Sequence, residues 1–203
     1  MNIYKSLKEA LNLSYNIVGL KLLFEDNIDD DLKKNFIIIK KRERFSKYIK
    51  RAAKGEFLKI NSEFTNCITK GGSKDDVVLS DHVEMEMKLK FRGLEDILLF
   101  PVDKAPQIDV DSIILMVTPL ECTKIIEVYV ELYKEPLRLV TGAHFGVCSE
   151  IAAYVIKRED VNFSFLCHGA REYGKFKNSE LLCGIPKKRI KEISKKLIRE
   201  KEI

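Results

Sequence analysis

Apolar and polar positions along this chain switch between two periods, and the switches predict its elements. Apolar residues recurring every three to four positions mark helices, and alternating or short unbroken apolar runs mark strands. Residues 2–14 place Ile3, Leu7, Ala10, Leu11 and Ser14 on one stripe and predict a helix. "VGLKLLFE" (18–25) and "FIIIK" (36–40) predict strands on either side of the acidic loop "DNIDDD" (26–31). "RERFSKYIKRAAK" (42–54) predicts a helix with Phe45, Tyr48, Ile49 and Ala52 on one side, and Gly55 fits its C-terminal cap. "EFLKI" (56–60) alternates and predicts a strand. Residues 66–76, with paired glycines, predict a loop, and 79–93 predict a helix from a Ser80 or Asp81 cap to Gly93.

The second half continues the alternation. "ILLFPVDKAP" (97–106) predicts a strand closed by prolines. "VDSIILMV" (110–117) has no polar residue after Ser112, which predicts a strand covered on both faces. Thr118, Pro119 and Glu121 then spell a capping box with proline at the first helical position. "PLRLV" (136–140) predicts a strand, 146–157 a helix, "NFSFLC" (162–167) a strand, and 168–180 a glycine-punctuated loop. "LLCGI" (181–185) predicts a last strand, and Pro186 opens a terminal basic helix. With no linker and no solenoid period, the expectation is one domain over residues 1–203. Its class is α/β or α+β, a mixed sheet covered by helices.

Composition narrows the setting. Apolar residues make up 45% of the 203, enough for a packed core. A net charge of +5 does not call for nucleic acid, and the basic runs at 40–54 and 187–201 are expected as solvated helix faces. No apolar run reaches the roughly 18 residues of a membrane span, and the N-terminus lacks the pattern of a signal peptide. The expected location is the cytoplasm, where a disulfide framework is not expected. The chain has five cysteines and no C-x-x-C pair.

Candidate chemistry gathers in three places. "TGAHFGVCSE" (141–150) hands a strand-like run over to a helix, with Cys148 in the first helical turn. Unpaired N–H groups at that end favour a thiolate, as nucleophile or metal ligand, and His144 precedes it by four residues. The bland alternative is a small buried residue beside Ala152 and Val155. "CHGAREYG" starts with Cys167 and His168 at a strand end, where Gly169 lets a ligand approach and Arg171 could pair with a phosphate or carboxylate. "TNCITKGG" sets Cys67 before Gly71 and Gly72, whose backbone could approach an anion beside Lys70. Cys122 and Cys183 lie inside apolar segments and are expected in the core.

These segments resemble the domain of unknown function 169 family, an uncharacterised archaeal conserved region. The resemblance runs from "VGLKLLFE" through "RFSKYIKRAAKGEFLKI" and is strongest in "VCSEIAAYVI" and "NFSFLCHGAREYGKFKNSELLCGIP". Members carry a cysteine–helix segment, a cysteine-x-glycine-alanine/serine-arginine loop and a glycine-isoleucine-proline ending. These fall on Cys148, on Cys167 to Arg171, and on Gly184 to Pro186, and Cys67 matches a further cysteine. Ser46 and Ile68 depart from the pattern, and His144 and His168 lie outside it. The resemblance favours a site built on Cys67, Cys148 and Cys167.

Three functions follow from these residues. One is a protein binding a transition metal, an iron–sulfur cluster or another redox cofactor through Cys67, Cys148 and Cys167. Its fourth position would come from His168, Ser46 or solvent. A second is a cysteine enzyme with Cys148 as nucleophile, His144 or His168 as base and Arg171 holding an anionic small molecule. The third is a small-molecule-binding or scaffold protein with structural cysteines. The sequence leaves open whether the chain is an enzyme and sets no oligomeric state.

Overall fold

The computed structural model describes residues 2–24, 34–65, 91, 93–141 and 147–201. Among them the strands are β1 (Val18–Leu23), β2 (Ile37–Ile38), β3 (Leu58–Asn61), β4 (Asp96–Pro101), β5 (Ser112–Val117), β6 (Asn162–Ser164) and β7 (Leu181–Pro186). The α-helices are α1 (Ile3–Ala10), α2 (Phe45–Ala53), α3 (Pro119–Tyr133), α4 (Tyr154–Arg158), α5 (His168–Gly174) and α6 (Lys187–Lys201). A π-helical stretch, Cys148–Ala153, runs directly into α4. The strands form one mixed sheet in the order β2-β3-β4-β1-β5-β7-β6. β2 pairs in parallel with β3 and the remaining pairs are antiparallel. The class is α/β.

Two helical layers explain the unbroken apolar runs. Alternate residues of a strand point to opposite faces. Ile113, Leu115 and Val117 of β5 join a core cluster with Leu7 of α1, Ile125 of α3 and Ile193 of α6. Ile114 and Met116 face the other way, into a cluster with Tyr48 and Ile49 of α2, Ile151 of the π stretch and Ala170 of α5. β4 divides in the same manner, with Leu98 and Phe100 in the first cluster and Ile97 and Leu99 in the second.

Several predicted elements change on folding. The first helix stops at Ala10, because the chain turns at Asn12, whose φ is 53°. The expected strand at 136–140 does not form. The side-chain amide of Asn162 takes both ladder groups of Val140, donating to its carbonyl at 2.8 Å and accepting from its N–H at 3.0 Å. The expected loop at 168–180 contains α5, whose two glycines are tolerated by tertiary packing. The predicted helix over 79–93 lies almost wholly outside the described residues. No helix among the described residues is long and apolar enough to cross a membrane.

Candidate functional site

The π stretch lies against β7 at a point where only glycine fits. A Cβ on Gly184 would stand 2.7 Å from the Ile151 carbonyl oxygen and 2.7 Å from Val155 Cγ2. Its absence lets helix backbone rest directly on the strand. π-Helical turns are rare and concentrate at functional sites. This one begins with Cys148, which is buried with Val147, Ile151 and Ala152 in the second core cluster.

Glu150 of the same stretch is buried too, at 3% exposure. Burying a carboxylate is costly unless hydrogen bonds replace its water. Thr141 Oγ1 donates to Oε1 at 2.8 Å, and the Ser164 hydroxyl donates to Oε2. Asn162 Nδ2 donates to the Glu150 carbonyl at 3.0 Å. The π stretch is thereby tied both to the chain preceding it and to the edge strand β6.

Cys148 is disulfide-bonded, whereas Cys122, Cys167 and Cys183 are free. With three of the described cysteines free, this bond is not part of the disulfide framework that the sequence argued against. Cys122 and Cys183 are core residues, as their apolar surroundings predict. Burial pushes the Cys122 thiol up to about 12, with the Glu121 charge adding to the effect. Burial also holds the Cys183 thiol well above the ordinary thiol value, with nearby Cys122 contributing. Cys67, Gly71, Gly72 and His144 lie outside the described residues.

Cys167 is half-buried at the N-cap of α5 and packs against the same cluster as Cys148. The residue before it, Leu166, is buried with φ at 63°. That left-handed conformation costs an L-residue about 1–2 kcal/mol, so packing enforces the kink between β6 and α5. His168 has a 93% exposed side chain whose Nε2 stands 3.5 Å from Glu172 Oε2. Gly169 faces Arg44, and a Cβ there would lie 2.6 Å from Arg44 Nη1. Arg171 binds backbone: Nη2 donates to the Phe165 carbonyl at 2.8 Å and Nη1 to the Lys177 carbonyl at 2.6 Å. Ser46 is buried on α2, and a Cβ on Gly174 would lie 3.2 Å from its Oγ.

Among the described residues, no group of three or more His, Cys, Asp or Glu side chains could hold a metal ion. A sulfur in a disulfide carries no thiolate charge, so a donor set that includes Cys148 does not fit a resident metal in this oxidation state.

Sequence reasoning passed over two further groups. Glu150 is the lone charge in the apolar run "VCSEIAAYVI", which was a usable signal. Lys50 belongs to a basic run expected to be solvated, yet its side chain and that of Glu180 are each only 9% exposed, with Nζ 2.9 Å from Glu180 Oε2. Lys50 Nζ also lies 4.7 Å from the Tyr15 ring centroid and 4.5 Å from that of Phe176. Nothing in the local pattern distinguishes Lys50 from its exposed neighbours.

A family model, DUF169, described as an uncharacterised ArCR, matches residues 71–196. No curated protein and no solved structure matches the chain.

Proposed function

The chain belongs to the domain of unknown function 169 family, and from that premise we propose that it works by thiol–disulfide chemistry at Cys148. The observation that carries this reading is the disulfide of Cys148 at the head of a π-helical turn, with the free Cys167 thiol against the same apolar cluster. In the cytoplasmic setting proposed here, such a bond is more often catalytic or redox-sensing than structural. Cys122 and Cys183 are held as thiols by burial, which leaves Cys167 as the described free thiol that can take part.

The exchange would proceed in two steps with a dithiol as reductant. One thiolate of the dithiol attacks a sulfur of the Cys148 disulfide; a new S–S bond forms as the old one breaks, and the leaving sulfur departs as thiolate. The second thiolate of the dithiol attacks the mixed disulfide and releases the protein's other sulfur. Two electrons and, after protonation, two protons enter the protein, and the dithiol leaves as a disulfide.

Reduction also exposes the alternative reading. In the reduced protein Cys67, Cys148 and Cys167, with His168, would be the donors for a transition metal or an iron–sulfur cluster. Gly71 and Gly72 would be the positions for an anionic part of a cofactor; Gly169 and Arg171 would serve only after giving up their contacts to Arg44 and to the loop carbonyls.

The test equilibrates the protein in dithiol–disulfide buffers of graded potential and counts thiols by alkylation and mass. The expected result is a reversible gain of two thiols with a midpoint between about −180 and −270 mV, absent in Cys148→Ser. A bond still intact near −300 mV would mark a structural disulfide and overturn the reading. Stoichiometric metal bound by the reduced protein, and lost in Cys148→Ser, would replace exchange with the cofactor site.

A further inference from the structure

The loop between β6 and β7, residues 165–180, closes on itself before it meets the rest of the protein. Arg171 reaches from α5 to both loop ends, donating to the carbonyls of Phe165 at 2.8 Å, Lys177 at 2.6 Å and Glu180 at 3.4 Å. The Glu180 carboxylate accepts from the Lys177 N–H at 2.7 Å, which fastens the exit a second time. Two residues outside glycine, Leu166 and Lys175, take left-handed φ values of 63° and 55° and bend the loop back. Leu166, Ala170 and Phe176 supply its apolar underside, packed in the cluster that holds Val147, Cys148 and Ile151.

This unit meets α2 through two cations. Arg44 lays its guanidinium 4.5 Å over the Tyr173 ring and against Gly169. Lys50 pairs with Glu180 at 2.9 Å and stands 4.5 Å over Phe176. Each cation therefore holds one aromatic ring of the loop. Removing one member of a buried pair strands the other without water, whereas separating the members returns both to water and recovers their hydration. Separating the Lys50–Glu180 pair as a whole therefore costs less than removing one of its members.

We propose that residues 165–180 form a preassembled cap, latched to α2 by Arg44 and Lys50, that opens as a unit and gates thiol exchange at Cys148 and Cys167. The gating half rests on the thiol–disulfide reading above; the cap itself does not. The cap opens as a sub-global unit, below the opening of the sheet.

Hydrogen exchange followed by mass spectrometry on the full wild-type chain tests the cap directly. Amides of 166–180 should exchange together and at least tenfold faster than those of β5 and β7. In Lys50→Met the cap amides should exchange at least tenfold faster still, and in Arg44→Ala about threefold faster, and in both they should stay faster than those of β5. Alkylation of Cys167 by iodoacetamide and reduction of the Cys148 disulfide by dithiothreitol should both accelerate by a similar factor. Cap amides that exchange with β7 in one global step would overturn the proposal, and so would Cys167 labelling that ignores both variants. Faster Cys167 labelling with unchanged disulfide reduction would overturn the gate. A disulfide that resists reduction in wild type and variants alike would remove the exchange reading, and the hydrogen-exchange pattern would still decide the cap. If Lys50→Met does not fold, the surface variant Arg44→Ala and the wild-type pattern decide.

Discussion

Gly184 shows how much one missing methyl group can position. β7 and the π stretch touch there through backbone, and a Cβ would overlap Ile151 O and Val155 Cγ2, both at 2.7 Å. Neither neighbour is a flexible side-chain end, so Gly184→Ala must push the π stretch off the strand. The expected loss is about 1–3 kcal/mol, read as a lower denaturant midpoint at unchanged slope. The same displacement loosens the ties of Glu150 to Thr141 and Ser164. Residue identity carried part of this in advance. Cys122 and Cys183 sit in apolar segments and are core residues, as expected. The role of Gly184 was not legible, because a glycine inside a strand marks close approach without saying what approaches.

Elements follow local signals where the signals are strong. Thr118, Pro119 and Glu121 spell the start of α3, and the structure has Glu121 Oε2 accepting from the Thr118 N–H at 2.6 Å and from its hydroxyl. Thr118→Ala should cost about 1 kcal/mol, checked by the midpoint of chemical unfolding. β5 was equally legible, since an apolar run without alternation requires cover on both faces and finds it. α5 was hidden by two glycines in its sequence, "HGAREYG", whose low helix propensity is overridden by packing of Ala170 into the second cluster. The strand expected at 136–140 was lost to a competing side chain, the Asn162 amide. The π character of 148–153 has no periodicity signal of its own in so short a stretch.

At the scale of the whole molecule, the second face of the sheet is held by a buried ion pair that joins elements 130 residues apart. Burial raises the Glu180 carboxyl, but the Lys50 ammonium, the Lys177 N–H and the Tyr15 hydroxyl more than compensate. The net result lies below the ordinary value of 4.5. A carboxyl depressed on folding adds stability that is present above its unfolded value and lost as pH falls through its folded one. Acid unfolding should therefore steepen below about pH 4.5 in the wild type and be flatter there in Glu180→Gln, as measured by denaturant midpoints from neutral pH down to about pH 3. The same variant should lose about 3 kcal/mol at neutral pH, because Lys50 stays buried without its counter-charge.

By itself the sequence determined the alternation of helices and strands, the two-sided burial of β5, the cap of α3 and the core placement of two cysteines. These depend on neighbours within a few positions, which a single chain displays. Tertiary structure alone decided that Lys50 is buried, that Arg171 clamps backbone carbonyls, and that Cys148 and Cys167 share one apolar cluster. Each of those facts depends on which distant segment arrives at a residue, and hydrophobic period specifies a face without naming the partner that covers it.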